Sequence, residues 1–266
     1  MTGATDGLGR AVANRLSDLG WTVHVHGRDT AKLAEVVEEL GDADSGVRSF
    51  QADLAELAQV HRLAAEVSDT LDRLDVLVDN AGIGFGDGRR EVSADGYELR
   101  FAVNHLAGFC LILELLPLLR ASAPARVVRV ASLGQQPVDF DDVMLERDYD
   151  GFRAYRQAKL AQVTTGFELA DRLDPAEVTV NSLHPGTFMP TKMVRQAGQP
   201  PVDTLETGIE STVRLVTDPA LDGVTGRFFD RTHERRALDQ AYDPAARAAL
   251  WRLSLDLTGA PDVGAD

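Results

Sequence analysis

The sequence predicts an α/β fold, a doubly wound parallel sheet with helices on both faces. Three observations predict it. Short apolar runs alternate with long stretches of helical periodicity. Glycines stand at 3, 7 and 9, just ahead of a helical stretch. The chain has 266 residues, 44% hydrophobic and 26% charged, which suits one domain with a substantial core. Strands joined by helical crossovers run parallel, and parallel sheets are covered on both faces.

The elements follow in order. Gly3 lets the chain turn sharply, Gly7 lets a helix N-terminus approach a pyrophosphate, and Gly9 allows close helix–sheet packing. Val12, Leu16 and Leu19 then mark a helix. Strands are expected at Trp21–His26, Val47–Gln51, Leu74–Val78, Arg126–Val130, Val178–Leu183 and Gly226–Phe229. Helices are expected at Ala31–Leu40, Ala55–Leu71, Phe152–Leu173, Thr204–Val216 and Pro244–Leu257, the last followed by a frayed end. Asp139–Asp150 breaks the periodicity and is an insertion, and Gln196–Val202 is a mobile surface loop. The whole chain forms one domain, with a substrate lid near 188–204 and a helical tail near 231–266. The glycine turn needs a strand to feed it, and in such a sheet that strand is central. Met1 alone precedes the turn, so the expectation is a truncated first strand and a natural start several residues upstream.

Composition narrows the function. The formal net charge of −15 argues against a nucleic-acid or anionic-membrane partner. The apolar run Phe109–Leu119 contains Glu114 and Pro117 and falls short of the ~20 residues of a membrane span. The first residues lack the basic end and apolar stretch of a signal peptide, and a cytoplasmic location is expected. Cys110 is the single cysteine, so it forms no internal disulfide and no cysteine-rich zinc site; in its apolar helix it is expected to be inert. His24 and His26 alternate on a strand without a third ligand, which fits strand surface and no metal. His105 and His184 are read as local supports, and Trp251 as core or subunit contact.

Several residues carry chemistry. After the second strand, Gly27-Arg28-Asp29 offers no carboxylate at the strand end. Arg28 suits a 2′-phosphate, which favours NADP over NAD, while Asp29 suits an N-cap. Asp53 and Leu54 follow the third strand and could meet an adenine, and Asn80-Ala81-Gly82 closes the fourth. Tyr155 and Lys159 lie one helical turn apart on one face, where a cation would favour the phenolate. Ser132 follows a strand at the same sheet edge. Asn104 is a polar residue in an apolar helix, either a structural bridge or part of a proton path.

Taken together, the Thr2–Gly9 turn, Asp53, Asn80–Gly82, Asn104, Ser132, Tyr155 with Lys159, and Pro185-Gly186 resemble the short-chain dehydrogenase/reductase family. The resemblance runs from residue 2 to about Phe229 and is nearest the retinol-dehydrogenase-like branch. It implies a Rossmann-type fold and an NADP-dependent oxidoreductase, with NAD as the alternative cofactor, that interconverts a hydroxyl and a carbonyl on a small alcohol or carbonyl substrate. Tyr155 would be the general acid or base. Lys159 would lower its pKa and hold ribose hydroxyls, and Ser132 would hold the substrate oxygen. Asn104 would hold a water linking Lys159 to solvent. Gly3, Thr5, Asp6, Gly7, Leu8, Gly9, Arg28, Asp53, Leu54, Asn80, Ala81, Gly82, Tyr155, Lys159, Pro185, Gly186 and Thr187 or Thr191 would hold the cofactor. Phe188, Met189 and Met193 in the lid point to an apolar substrate. The family's homo-oligomers form through long helices, here 94–119 and 152–173. Three features depart from the family pattern: a Ser132–Tyr155 spacing lengthened by the insertion, Arg129 and Ala131 beside the serine, and in Thr187–Thr191 a second threonine one residue later than usual. The rival from another class is a non-catalytic dinucleotide-binding sensor or scaffold. An epimerase or dehydratase is disfavoured by the glycine spacing.

Overall fold

A computed structural model describes residues 1–41 and 46–263. Its sheet comes in two pieces. β1 (Val25–Gly27) pairs in parallel with β2 (Ser49–Gln51). The larger piece is β3 (Val76–Asp79), β4 (Ala125–Val130), β5 (Val178–His184), β6 (Arg227–Asp230) and β7 (His233–Glu234), in that spatial order. The first four of these are parallel, and the short β7 is an antiparallel edge.

Met1–Ala4 joins the two pieces. The Met1 amino group donates to the His24 carbonyl, the His26 N–H to the Met1 carbonyl, and the Thr2 N–H to the Val78 carbonyl at 3.0 Å. These four residues thus lie where the sequence expects a central strand. Below them an apolar cavity of about 40 Å³ is lined by Met1, Val25, Phe50, Leu63, Leu77 and Leu111. Burial lowers the pKa of the Met1 amino group to about 5. The strand expected over Trp21–His26 has a ladder only from Val25.

Side-chain alternation puts the two layers of helices in place. Val78, Val128 and Leu183 face α1 (Gly7–Asp18), α2 (Thr30–Leu40) and α8 (Leu205–Thr217). Leu77, Val127 and Val180 face α3 (Leu57–Thr70) and α5 (Ala107–Ala121). α6 (Gly151–Arg172) and α9 (Pro244–Thr258) complete that layer. Asp29 caps α2 as expected, accepting from the N–H groups of Ala31 and Lys32.

Two expectations need correction. The apolar helix is longer than its uninterrupted run. α4 (Leu99–Phe101), a π-turn at Ala102–Leu106 and α5 form one 23-residue helix of mean hydropathy 1.8, long and apolar enough to cross a membrane. Here 78% of that apolar window is buried inside the fold, where it serves as a core helix. The C-terminal end is docked as far as Val263, with Asp262 accepting from the Trp251 indole N–H and pairing with Arg172. The expected insertion is present and docked on the fold. Leu145 is fully buried, and the Tyr149 hydroxyl donates to the buried Glu98.

Candidate active site

Because β1 to β5 run parallel, their carboxyl ends open on one edge. Arg28, Asp53, Asn80, Ser132 and Pro185 each follow one of these strands, so the sequence's candidates share that edge.

The glycine turn is held by main-chain geometry. Gly3 and Gly7 have φ of +62° and +53°, a region side chains rarely adopt. A Cβ on Gly3 would lie 2.8 Å from the Ala81 Cα, and one on Gly9 would overlap the Gly3 carbonyl. Thr2 was not among the predicted site residues, yet its hydroxyl accepts from the N–H groups of both Asn80 and Ala81. Asn80 Nδ2 in turn donates to the carbonyls of Thr2 and Gly3. Asp6 caps α1 by accepting from the Gly7 N–H, and the Thr5 side chain packs against Gly27. Leu8 packs in the core beside Met189, and Leu54 also packs in the core.

His26 departs from its expected place on the strand surface. It is buried, its Nδ1 accepts from the Gly3 N–H at 3.3 Å, and its Nε2 meets the Ala52 carbonyl at 3.1 Å. Burial holds its pKa near 4, so the ring is a neutral brace for the turn. β1 is flanked by β2 and Met1, so it is not an edge strand, and all three of its residues are buried.

Arg28 is exposed beyond β1 and forms no ion pair among the described residues. The Asp53 carboxylate accepts from the Ala55 N–H. The two lid threonines differ. The Thr187 hydroxyl meets His184, while the Thr191 side chain lies 3.3 Å from where a Gly7 Cβ would stand. Thr191, which caps α7 (Lys192–Gln196), is therefore the one facing the glycine turn. Pro185 accepts from Ser211, and Gly186 packs beneath Met189 and Asp203.

On the reacting side, Ser132 Oγ accepts from the Gly134 N–H at 2.9 Å, and a Cβ on Gly134 would lie 3.3 Å from Ser132 Oγ and 4.0 Å from the Tyr155 ring, so the two side chains are neighbours. The phenol is not shifted as the helical spacing suggests. Burial raises its pKa, and the neighbouring Ser132 hydroxyl only partly offsets this. Although Lys159 shares the face of Tyr155, its Nζ is 6.0 Å from the phenol ring centre and turns inward. There it donates to the Val130 carbonyl at 2.8 Å and to Gln162 Oε1 at 3.1 Å. The π-turn carries Asn104, which bridges to Ile83: its Oδ1 accepts from the Ile83 N–H and its Nδ2 donates to the Ile83 carbonyl. A Cβ on Gly82 would stand 3.1 Å from Asn104 and 3.7 Å from Lys159 Nζ, so these three converge.

Beneath Lys159 lies a buried charge pair not foreseen from the sequence. Arg129 Nε donates to Asp79 at 3.1 Å, and Arg129 Nη1 donates to the Gln162 carbonyl and to Thr165. Gln162 Nε2 also donates to Asp79. Gly108 makes room for the Asp79 carboxylate, which a Cβ there would overlap. Burial lowers the Lys159 pKa to about 8; Asp79 pulls it back up and Arg129 pushes it further down. The one hint in the sequence was Arg129 itself, a charge inside an apolar strand.

A dinucleotide fits this edge. The glycine turn at the N-terminus of α1 presents main chain without side chains, and the buried Lys159 ammonium lies beyond it.

The comparisons agree with the geometry. Residues 1–201 match the model of the short chain dehydrogenase family. The chain is 35% identical to human retinol dehydrogenase 14, over 97% of this chain and 85% of that protein. It is 34% identical to mouse polyprenol dehydrogenase, over 98% and 83%. Among solved structures it resembles an uncharacterized Mycobacterium paratuberculosis protein, with a TM-score of 0.76 and 28% identity over 97% of this chain and 92% of that one. It also resembles the Pseudomonas aeruginosa RhlG/NADP active-site complex, with a TM-score of 0.70 and 28% identity over 86% and 92%. The chain thus belongs to the short-chain dehydrogenase/reductase family, in its retinol-dehydrogenase-like branch, and is a nicotinamide-dependent oxidoreductase acting on alcohol and carbonyl groups.

Proposed function

We propose that this chain is an NADP-dependent oxidoreductase that interconverts a hydroxyl and a carbonyl on a small apolar substrate, with Tyr155 as the general acid and base. The observation that carries the reading is the meeting of Ser132 and Tyr155 at one sheet edge, with the Lys159 ammonium behind them and the glycine turn alongside.

When bound, the nicotinamide supplies or accepts the hydride. Gly3, Thr5, Asp6, Gly7, Leu8 and Gly9 would hold the pyrophosphate through main chain and helix N-terminus, with Thr191 as a side-chain partner. Arg28, which forms no ion pair among the described residues, would meet the 2′-phosphate, and the main chain at Asp53 and Leu54 the adenine. Asn80, Ala81, Gly82, Lys159, Pro185, Gly186 and Thr187 would line the ribose and nicotinamide side. In reduction, negative charge grows on the substrate oxygen. Ser132 and Tyr155 hydrogen-bond that oxygen, Tyr155 gives it a proton, and the Lys159 ammonium favours the phenolate left behind. In oxidation Tyr155 takes the proton. Asn104 positions Ile83 and Gly82 beside Lys159, where it could hold a water linking Lys159 to solvent.

Several features support an apolar substrate. Phe85 stacks on Phe152 at 4.1 Å and meets Tyr155 edge-on at 4.8 Å, so aromatic surface flanks the reactive phenol. Phe188 and Met193 lie on the lid side, whereas Met189 is spent on the core. Two relatives are named for retinol and polyprenol, both apolar alcohols. NADP finds support in Arg28 and in the NADP complex among the structural relatives. We place the reaction in the cytoplasm, supported by the packing of the apolar helix into the core.

The test is binding of NADPH against NADH, followed by turnover of apolar aldehydes, ketones and alcohols with the tighter cofactor. The reading expects NADPH to bind more tightly and a member of the panel to turn over. Tighter binding of NADH overturns the cofactor assignment, and turnover confined to polar substrates overturns the substrate class.

A further inference from the structure

Gln162 is fully buried on α6 and has no place in the proton transfer from Tyr155. It nevertheless closes a chain of hydrogen bonds that starts at Lys159. The Lys159 ammonium donates to Gln162 Oε1 at 3.1 Å. Gln162 Nε2 donates to the Asp79 carboxylate at the end of β3, also at 3.1 Å. Arg129 on β4 donates to the same carboxylate and, at 2.7 Å, to the main-chain carbonyl of Gln162.

Chemistry sets the direction of that amide. An ammonium only donates and an ionised carboxylate only accepts. One orientation of Gln162 satisfies both, with its oxygen toward Lys159 and its nitrogen toward Asp79. Lys159 and Asp79 form no direct ion pair among the described residues, so the amide spans the gap between them. Its negative oxygen meets the cation and its positive N–H meets the anion, and hydrogen bonds in such a chain polarise one another. An apolar side chain in its place would leave a buried carboxylate short of a donor and a buried ammonium short of an acceptor.

Given the roles assigned to Tyr155 and Lys159, on which this rests, we propose that Gln162 is a positioning residue for the reaction: its amide, oriented by Asp79, fixes the Lys159 ammonium beside Gly82 and Asn104 and keeps it charged. Two of the three ammonium N–H groups are spent on Gln162 and Val130, which leaves one for the cofactor side. The charged groups around Lys159 are Asp79 on β3, which favours the ammonium, and Arg129 on β4, which opposes it. Tyr155 is the phenol on the same helix, and His105 on the π-turn is kept neutral by burial and by the Arg129 charge. Gln162 has no charge of its own, so it acts on Lys159 through its hydrogen bonds.

The experiment follows Lys159 directly, by NMR of the full chain carrying ¹³C-labelled lysine, titrated from about pH 6 to 10. Lys32 and Lys192 are the other lysines, so the signal lost in Lys159→Met is that of Lys159. The parent chain should titrate at about 8. Gln162→Met keeps the length of the side chain and loses the amide, and it should move the midpoint down by about one pH unit or more. Gln162→Glu keeps an acceptor toward the ammonium and should leave the midpoint at or above that of the parent. The alkaline limb of kcat/KM for carbonyl reduction should move with the NMR midpoint in each chain. A merely structural role would lower both variants alike or move neither. An unchanged midpoint in Gln162→Met, a fall in Gln162→Glu, or an alkaline limb that stays put while the midpoint moves would each overturn the proposal, and the second decides it if Gln162→Met does not fold. The NMR readout needs no turnover. A parent chain with the expected midpoints but no carbonyl reduction counts against the reaction, whereas failed midpoints in an active chain count against Gln162.

Discussion

Around Gly3, Gly7 and Gly9 the cleft is held by main chain: carbonyls and N–H groups of Thr2, Gly3 and Ala81, tied together by Asn80 and braced by a neutral His26. Around Lys159 it is held by buried side chains, with Arg129, Asp79 and Gln162 in one hydrogen-bonded group. The first side binds by shape and needs residues without side chains. The second must keep an ammonium charged away from water, and it does so with the Asp79 carboxylate beneath it, against the opposing charge of Arg129. One buried Arg129 nitrogen, Nη2, has no hydrogen-bond partner among the described residues, so that group is not fully satisfied.

If the two sides differ in this way, breaking a buried charge should cost most. Arg129→Met leaves Asp79 buried and unpaired, and it should lower unfolding stability by about 3–5 kcal/mol in urea denaturation. Adding Asp79→Leu should return much of that loss, since both charges then leave together. A double variant no more stable than the single one would deny that the pair acts as a unit.

The next effect is on pH. Lys159 has its folded pKa lowered to about 8 from the ordinary 10.5. Its charge is therefore a cost to the fold below about pH 8, relieved as pH rises toward 10.5, where the unfolded chain still holds the proton. Relative to Lys159→Met, the parent chain should gain stability between pH 8 and 10. Its kcat/KM for carbonyl reduction should fall over the same range as the ammonium is lost. A flat difference in stability would place the Lys159 titration elsewhere.

On the main-chain side the effects are smaller. Arg28→Ala should reduce the preference for NADPH over NADH about tenfold, measured as a ratio of Kd values, because one charge-assisted contact is removed. Asp29→Ala should cost about 1 kcal/mol of stability through the lost cap on α2, leaving cofactor choice unchanged.

The same contrast explains what could be read from the sequence. Gly3, Gly7, Gly9 and the Asn80–Gly82 turn were legible because steric demands on the backbone admit few residue types. Tyr155 with Lys159 was legible by helical spacing, but the spacing could not show Lys159 turning inward to Val130. The Asp79–Arg129 pair was hidden because its partners come from different strands, 50 residues apart, and only the parallel register of β3 and β4 sets them side by side. His26 was misplaced for a related reason. Alternation marks two faces of a strand, but it does not say that both are covered. The choice between Thr187 and Thr191 also waited on the lid's path over Gly7.

The central claim is that Tyr155 moves the proton while the glycine turn holds the cofactor. The most direct test is NADPH oxidation with a reducible apolar carbonyl compound, comparing the parent chain with Tyr155→Phe, alongside NADPH binding to both. The account predicts a loss in kcat of about a hundred- to ten-thousand-fold, with NADPH affinity changed by no more than a few-fold. Equal turnover in the two chains would contradict it.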